Sequence, residues 1–234
     1  MEDFGEEVIK NYNEVALIAW PHYFQNQDAL FDAILRRLKI AKWKGSFPIN
    51  ILEAGSGTGI TTIRLVFLSV QARVIAIDCS EEMNRMAKES VGYLTDRVTF
   101  FQGDMLDFLQ DTSDRYDIFC SGSTLHNFVK LKWQKVISLA YHSLKPGGIF
   151  AVMDLVARDD AVLHQADFQW EMEQMVKLKE RDEELYYRWV EHYKRDQTRK
   201  LQEGDLVGWL KKVGFRDIRV DYRDHMNAVV TAVK

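Results

Sequence analysis

Between positions 53 and 59 the chain reads Glu53-Ala54-Gly55-Ser56-Gly57-Thr58-Gly59, three glycines at alternate positions behind one carboxyl group. Glycine tolerates the left-handed backbone and adds no side chain, so such a turn bends sharply and lets a ligand lie against the main chain. The apolar run before it (Ile49, Ile51, Leu52) reads as a buried parallel strand, and open α/β sheets bind nucleotides at the carboxyl ends of their strands. Asp78 lies 25 residues beyond Glu53, at the end of a second apolar run, where a carboxylate can accept two hydrogen bonds from a ribose diol. His126, within Ser121-Gly122-Ser123-Thr124-Leu125-His126-Asn127, is the residue of that loop suited to taking a proton near neutral pH. A structural hydrogen bond is its plainer role.

The elements that must hold these residues follow from hydrophobic periodicity. Residues 4–43 carry a helical pattern (Val8, Tyr12, Val15, Ala16, Ala19, then Leu30, Ile34, Leu35, Leu38), which Pro21 interrupts. After Gly45-Ser46-Phe47-Pro48 the chain alternates strand and helix. Strands are predicted at 49–52, 73–77, 98–101, 116–120 and 149–154, and helices at 61–70, from Glu81 behind the N-cap Ser80, and at about 130–143. Leu144-Lys145-Pro146-Gly147-Gly148 reads as a tight turn into the fifth strand. This alternation means βαβ units and a doubly wound α/β sheet. Residues 155–203 break the rhythm with charged and aromatic helical patterns, a helical cap inserted after strand five. Asp205 to Val213 is a short helix stopped by Gly214, and Ile218–Tyr222 and Asn227–Val233 alternate as an antiparallel pair.

The chain of 234 residues, 47% hydrophobic and 28% charged, is one good-sized domain with ordinary soluble composition. A formal charge of −4 supplies no field favouring nucleic acid or anionic membrane. Two cysteines, Cys79 and Cys120, fit a reducing compartment, and no histidine sits at metal-ligand spacing with a carboxylate, so no metal is expected. The first residues are acidic where a secretory leader is basic and then apolar, and no run approaches the roughly 20 apolar residues of a membrane span, so a cytoplasmic protein is expected.

The segment Glu53-x-Gly55-x-Gly57-x-Gly59, the strand-end Asp78, the Leu-Lys-Pro-Gly-Gly turn and the closing helix and strand pair, in this order, resemble the class I S-adenosylmethionine (SAM)-dependent methyltransferases over about 49–154 and 203–234. The resemblance implies a mostly parallel seven-stranded sheet whose last strand is antiparallel, N-terminal lid helices (1–45) and the cap (155–203), all in one domain. It implies SAM as cofactor, with S-adenosylhomocysteine as product. Asp78 would hold the ribose, Glu53 would help to place the methionine end, and Gly55, Ser56, Gly57 and Gly59 would form the turn. Asp104 and Met105 would read adenine, with Cys79, Met83 and Ser121 beside the cofactor; helix capping by Asp104 and core packing by Met83 are the plainer roles. His126 would face the transferable methyl, and Tyr12, Trp20, Tyr23, His164, Tyr193 and Arg195 would line the lid and acceptor side. The expected partner is a small-molecule acceptor methylated on O, N or C, not nucleic acid and not a membrane, and a homodimer is left open.

Other readings compete. A SAM-fold enzyme similar to carboxy-SAM synthase would use a cation such as Arg195 for the added carboxylate. A non-catalytic SAM-binding subunit would keep the cofactor residues and lose the acceptor site. An NAD-dependent dehydrogenase would need glycine at position 60 or 62, where Ile60 and Thr62 stand.

Overall fold

A computed structural model describes residues 16–18, 20–40, 48–199 and 201–234. Tyr12 and the first part of the proposed lid lie outside the described residues. Pro21 sits in a turn after a helical segment at 16–18, and helix α1 (Tyr23–Ile40) starts just beyond it, where the missing proline N–H costs no ladder bond.

Strand β1 (Ile49–Ala54) is followed by α2 (Ile60–Val66), β2 (Ala72–Asp78), α3 (Glu81–Val91), β3 (Val98–Gln102), α4 (Met105–Asp111) and β4 (Tyr116–Gly122). Then come α5 (Lys130–Ser143), β5 (Leu144–Ala157), α6 (Ala161–Arg181), α7 (Glu183–Arg199), β6 (Leu201–Gln202), α8 (Glu203–Val213), β7 (Arg216–Asp224) and β8 (Asn227–Val233). The sheet runs β3-β2-β1-β4-β5-β8-β7, and the two-residue β6 pairs with the end of β5. Strands β1 to β5 pair in parallel, while β8 enters antiparallel between β5 and β7. The expected seven-stranded path is present, with β6 as a short addition. Boundaries differ in two places: the Leu144–Gly148 turn falls inside β5, where Gly147 takes φ +79° and the pairing with β4 shifts register, and the helix expected over 61–70 ends at Val66.

The pleat divides each central strand between two cores. Ile51, Ile118 and Ala151 face α1, α2 and α3, meeting Leu30, Ile34, Leu65 and Val91. Leu52, Phe119 and Phe150 face the opposite side, under Leu109, Trp133, Ile137 and Leu210 of α4, α5 and α8. Burial on both faces is why these strands read as continuous apolar runs. Helix α1 is thus a layer of the sandwich, and Arg37 fixes it, donating to Thr231 Oγ1 at 2.7 Å and to the Asp217 carboxylate. The α6–α7 hairpin is the expected cap, with a small core of its own: Met175, Leu178, Trp189, Tyr193 and Met226.

Candidate active site

The carboxyl ends of β1, β2 and β4 open on one cavity. At its floor the turn after β1 is tied to β2: Gly55 and Ser56 donate to Ile77 O at 2.8 and 2.9 Å, and Gly57 N–H donates to Asp78 Oδ2 at 2.8 Å. The Ser80 N–H donates to Asp78 Oδ1 at 2.9 Å. These backbone donors orient the carboxylate, which lines the cavity. Burial raises the Asp78 carboxyl above its ordinary range, against those two hydrogen bonds.

The glycines divide by task. A methyl group built on Gly55 would stand 2.2 Å from the Thr124 side chain, so this position is set by the packing of β1 against the loop after β4. Gly59 packs on α3, less tightly: its Cβ would stand 3.0 Å from Ala87 Cα. Around Gly57, which lines the cavity with φ +51°, nothing lies within 4 Å of such a Cβ. Ser56 Oγ and Ser123 Oγ are buried in the same wall without a hydrogen-bond partner among the described residues. Open backbone at Gly57 and orphaned hydroxyls beside it fit a polar ligand laid along the turn.

Glu53 lies beneath the turn, fully buried, rather than in the cavity wall. Its Oε2 accepts from Thr62 Oγ1 at 2.6 Å, while Oε1 has no partner among the described residues. Burial raises its carboxyl to about 8; the Thr62 hydroxyl opposes this and the nearby Asp78 adds to it. Asp104 does cap α4, accepting from Leu106 N at 2.6 Å through Oδ1, and it also lines the cavity together with Met105. Both roles expected of Asp104 are therefore geometrically open at once. Cys79 and Met83 border the same end. Ser121 is turned away from it and donates to Ala54 O at 2.8 Å, stitching β4 to β1.

At the other end stands His126, in the single-turn 3-10 helix Leu125–Asn127. Its Nδ1 lies 2.7 Å from Asp154 Oδ1, a fully buried carboxylate at the end of β5. The same carboxylate accepts backbone N–H groups of Thr124 (3.2 Å), Leu125 (2.7 Å) and His126 (3.3 Å), so it fixes the loop as well as the ring. Pairing with a carboxylate puts the ring hydrogen on Nδ1 and leaves a lone pair on Nε2, to which Asn127 Nδ2 donates at 3.2 Å. Trp20 crosses the His126 ring edge-on at 5.7 Å, and its indole N–H donates to Asn227 Oδ1 at 2.7 Å. Tyr23 closes that side; burial, its largest influence, raises its phenol to about 12.

Among the expected lid and acceptor residues, Trp20, Tyr23 and Tyr193 reach the cavity, whereas His164 and Arg195 do not line it. Trp189 and His192 of α7 do. Asp154 was missed as a partner of His126. Its signal was the one that marked Asp78, an acid at the end of an apolar strand. Among the described residues no cluster of histidine, cysteine and carboxylates could hold a metal ion, and no helix is long and apolar enough to cross a membrane.

Known proteins are similar to this chain. Residues 51–148 match the family described as a methyltransferase domain. A carboxy-S-adenosyl-L-methionine synthase of Nautilia profundicola is 26% identical over 99% of this chain and 94% of its own length. A malonyl-[acyl-carrier protein] O-methyltransferase of Bacillus cytotoxicus is 31% identical, but the match covers 67% of this chain and only 52% of that protein. The fold is that of the CurJ carbon methyltransferase structure, with a TM-score of 0.66 at 18% identity over 95% of this chain and 57% of that one. Residues 51–148 form a methyltransferase domain of the class I SAM-dependent type. SAM is its cofactor.

Proposed function

We propose that the protein transfers a methyl group from SAM to a hydroxyl oxygen of a small, planar acceptor, with His126 as general base. The observation that carries this reading is the buried Asp154–His126 pair, which orients the imidazole lone pair on Nε2 at the cavity wall, where an acceptor hydroxyl would replace the Asn127 amide. SAM supplies an electrophilic methyl on a sulfonium, so an amine or thiolate acceptor needs little more than placement. A hydroxyl must also lose its proton. The acceptor oxygen would give that proton to His126 Nε2 and take the methyl group, and the sulfur of SAM would keep the electron pair of the broken carbon–sulfur bond. Asp154 stabilises the imidazolium that results and keeps the ring from turning. Asp78 would hold the ribose, Asp104 and Met105 the adenine, and Glu53 the methionine end from below.

The test is methyl transfer from labelled SAM to panels of phenols, enols and amines. His126→Asn is expected to lower turnover of hydroxyl acceptors by about 10²–10⁴-fold at pH 7 with S-adenosylhomocysteine affinity unchanged. Full activity in that variant would remove the base from the mechanism. A second reading, synthesis of a carboxylated SAM, is favoured by the near full-length match to a carboxy-SAM synthase. Arg195, the cation that reading singled out, lies outside the cavity wall and donates to His192. Mass spectrometry of ligand released from purified protein separates the two readings.

A further inference from the structure

The acceptor end of the cavity holds a second histidine whose wiring is opposite to that of His126. His192 of α7 lines the same cavity, and its ring meets that of His126 edge-on at 6.1 Å between centroids. Arg195 Nη2 lies 2.7 Å from His192 Nδ1. A guanidinium has only donors, so Nδ1 must offer its lone pair and the ring hydrogen sits on Nε2. Next to it, His126 carries its hydrogen on Nδ1, toward Asp154, and a lone pair on Nε2, to which Asn127 Nδ2 donates until an acceptor hydroxyl takes its place. One imidazole is wired by a carboxylate to accept and its neighbour by a guanidinium to donate. Trp189 braces the donor ring edge-on at 5.8 Å, as Trp20 braces the acceptor ring at 5.7 Å.

We propose that the two rings together select a hydroxyl that has a carbonyl oxygen beside it, an ortho-hydroxy aryl ketone or the corresponding enol: His126 takes the hydroxyl proton and His192 donates to the carbonyl. This rests on the reading of His126 as base. In such a compound the two oxygens stand about 2.6 Å apart, the span of an O–H···O hydrogen bond, and the hydroxyl is internally bonded to the carbonyl. Deprotonation breaks that internal bond, and an N–H delivered to the carbonyl replaces it. An isolated hydroxyl would instead receive the His192 hydrogen on the oxygen that must attack, which lowers its nucleophilicity. No lysine or arginine among the described residues lines the cavity, so the partner oxygen is a neutral carbonyl rather than a carboxylate. Arg195 is a positioning residue that acts through His192.

The test uses three probes, 2-hydroxyacetophenone, 4-hydroxyacetophenone and 2-hydroxybenzoate, titrated into protein saturated with S-adenosylhomocysteine, so that binding is read without turnover. The ortho ketone is expected to bind at least 10-fold more tightly than the other two. That preference should fall to within 2-fold in His192→Phe, and should be partly retained in His192→Gln, which keeps a donor. Arg195→Met should weaken it as well. Unchanged S-adenosylhomocysteine affinity shows that each variant is folded. No ortho preference in the wild type, no binding of the ortho ketone, tighter binding of the benzoate, or a preference surviving in His192→Phe each overturns the proposal. Methyl transfer is then measured separately. An intact preference without any transfer overturns the base reading, whereas transfer without preference overturns only the role of His192.

Discussion

Glu53 sits where a full negative charge is costly, and one of its oxygens has no partner among the described residues. With its carboxyl raised to about 8, it is mostly protonated at pH 7. An ammonium placed above it, as the methionine end of SAM would provide, favours the ionised form and drives the proton out. Calorimetric titration of S-adenosylhomocysteine at pH 7 in two buffers of different ionisation enthalpy should show release approaching one proton. Glu53→Gln should abolish it; the same release in that variant would place the proton elsewhere. The glycines separate folding from binding. Gly55→Ala drives a methyl into Thr124 and should lower the melting temperature and abolish binding together. Gly57→Ala meets no protein atom and pays only for φ +51°, about 1 kcal/mol, so it should fold and yet bind S-adenosylhomocysteine at least 10-fold more weakly. Much at this scale was legible, because Glu53, Asp78 and the glycines are tied to one turn by strict spacing. The Asp154–His126 pair was not, since residues 28 positions apart meet only once β4 and β5 are in register.

At the scale of elements, the entry to α1, the cap and the β7–β8 turn meet in one buried chain of contacts. Trp20 donates to Asn227 Oδ1, and Asn227 Nδ2 donates to Glu171 Oε1 at 3.2 Å. Burial raises the Glu171 carboxyl to about 8, with Asp224 and Asp167 adding to the shift. The native state therefore holds this proton more tightly than the unfolded chain. Its contribution is whole below about pH 4.5 and is lost as pH rises toward 8. Urea unfolding at pH 5.5 and 7.5 should show wild type losing about 2–3 kcal/mol more than Glu171→Gln over that interval. Equal losses would remove Glu171 from the account. The strands and the helices between them were readable because burial on both faces leaves continuous apolar runs. The inward face of the cap was less so. Its helices carry aromatics on several sides, and only packing against Met226 and the cavity decides that Trp189, His192 and Tyr193 face inward while Arg195 stands behind them.

For the molecule as a whole, the end of β2 and the loops after β1, β3 and β4 line one cavity, so a ligand bound there would join them. A ligand bound only by the folded state at 100 times its Kd adds about 2.7 kcal/mol. For a chain of this length S-adenosylhomocysteine should then raise the melting temperature by roughly 5–10 °C. NAD at the same concentration should leave it unmoved, and an equal rise with NAD would contradict the cofactor assignment.

The order of strands in space also sets an order in time. β8, the last strand in sequence, is an interior strand, hydrogen-bonded to β5 on one side and β7 on the other. The first helix waits for it too, since Arg37 of α1 bonds to Thr231 and the α1 layer packs on Val229. As the chain leaves the ribosome, β5 has an unpaired edge and α1 an uncovered flank until residues 227–233 emerge. Vectorial synthesis can assemble β1 to β4, but the sheet closes only afterwards, through contacts spanning most of the sequence. A chain ended at residue 224 should accordingly be collapsed, protease-sensitive and without a cooperative melt. In the cell, the interval between making β5 and making β8 is when this protein most needs a chaperone.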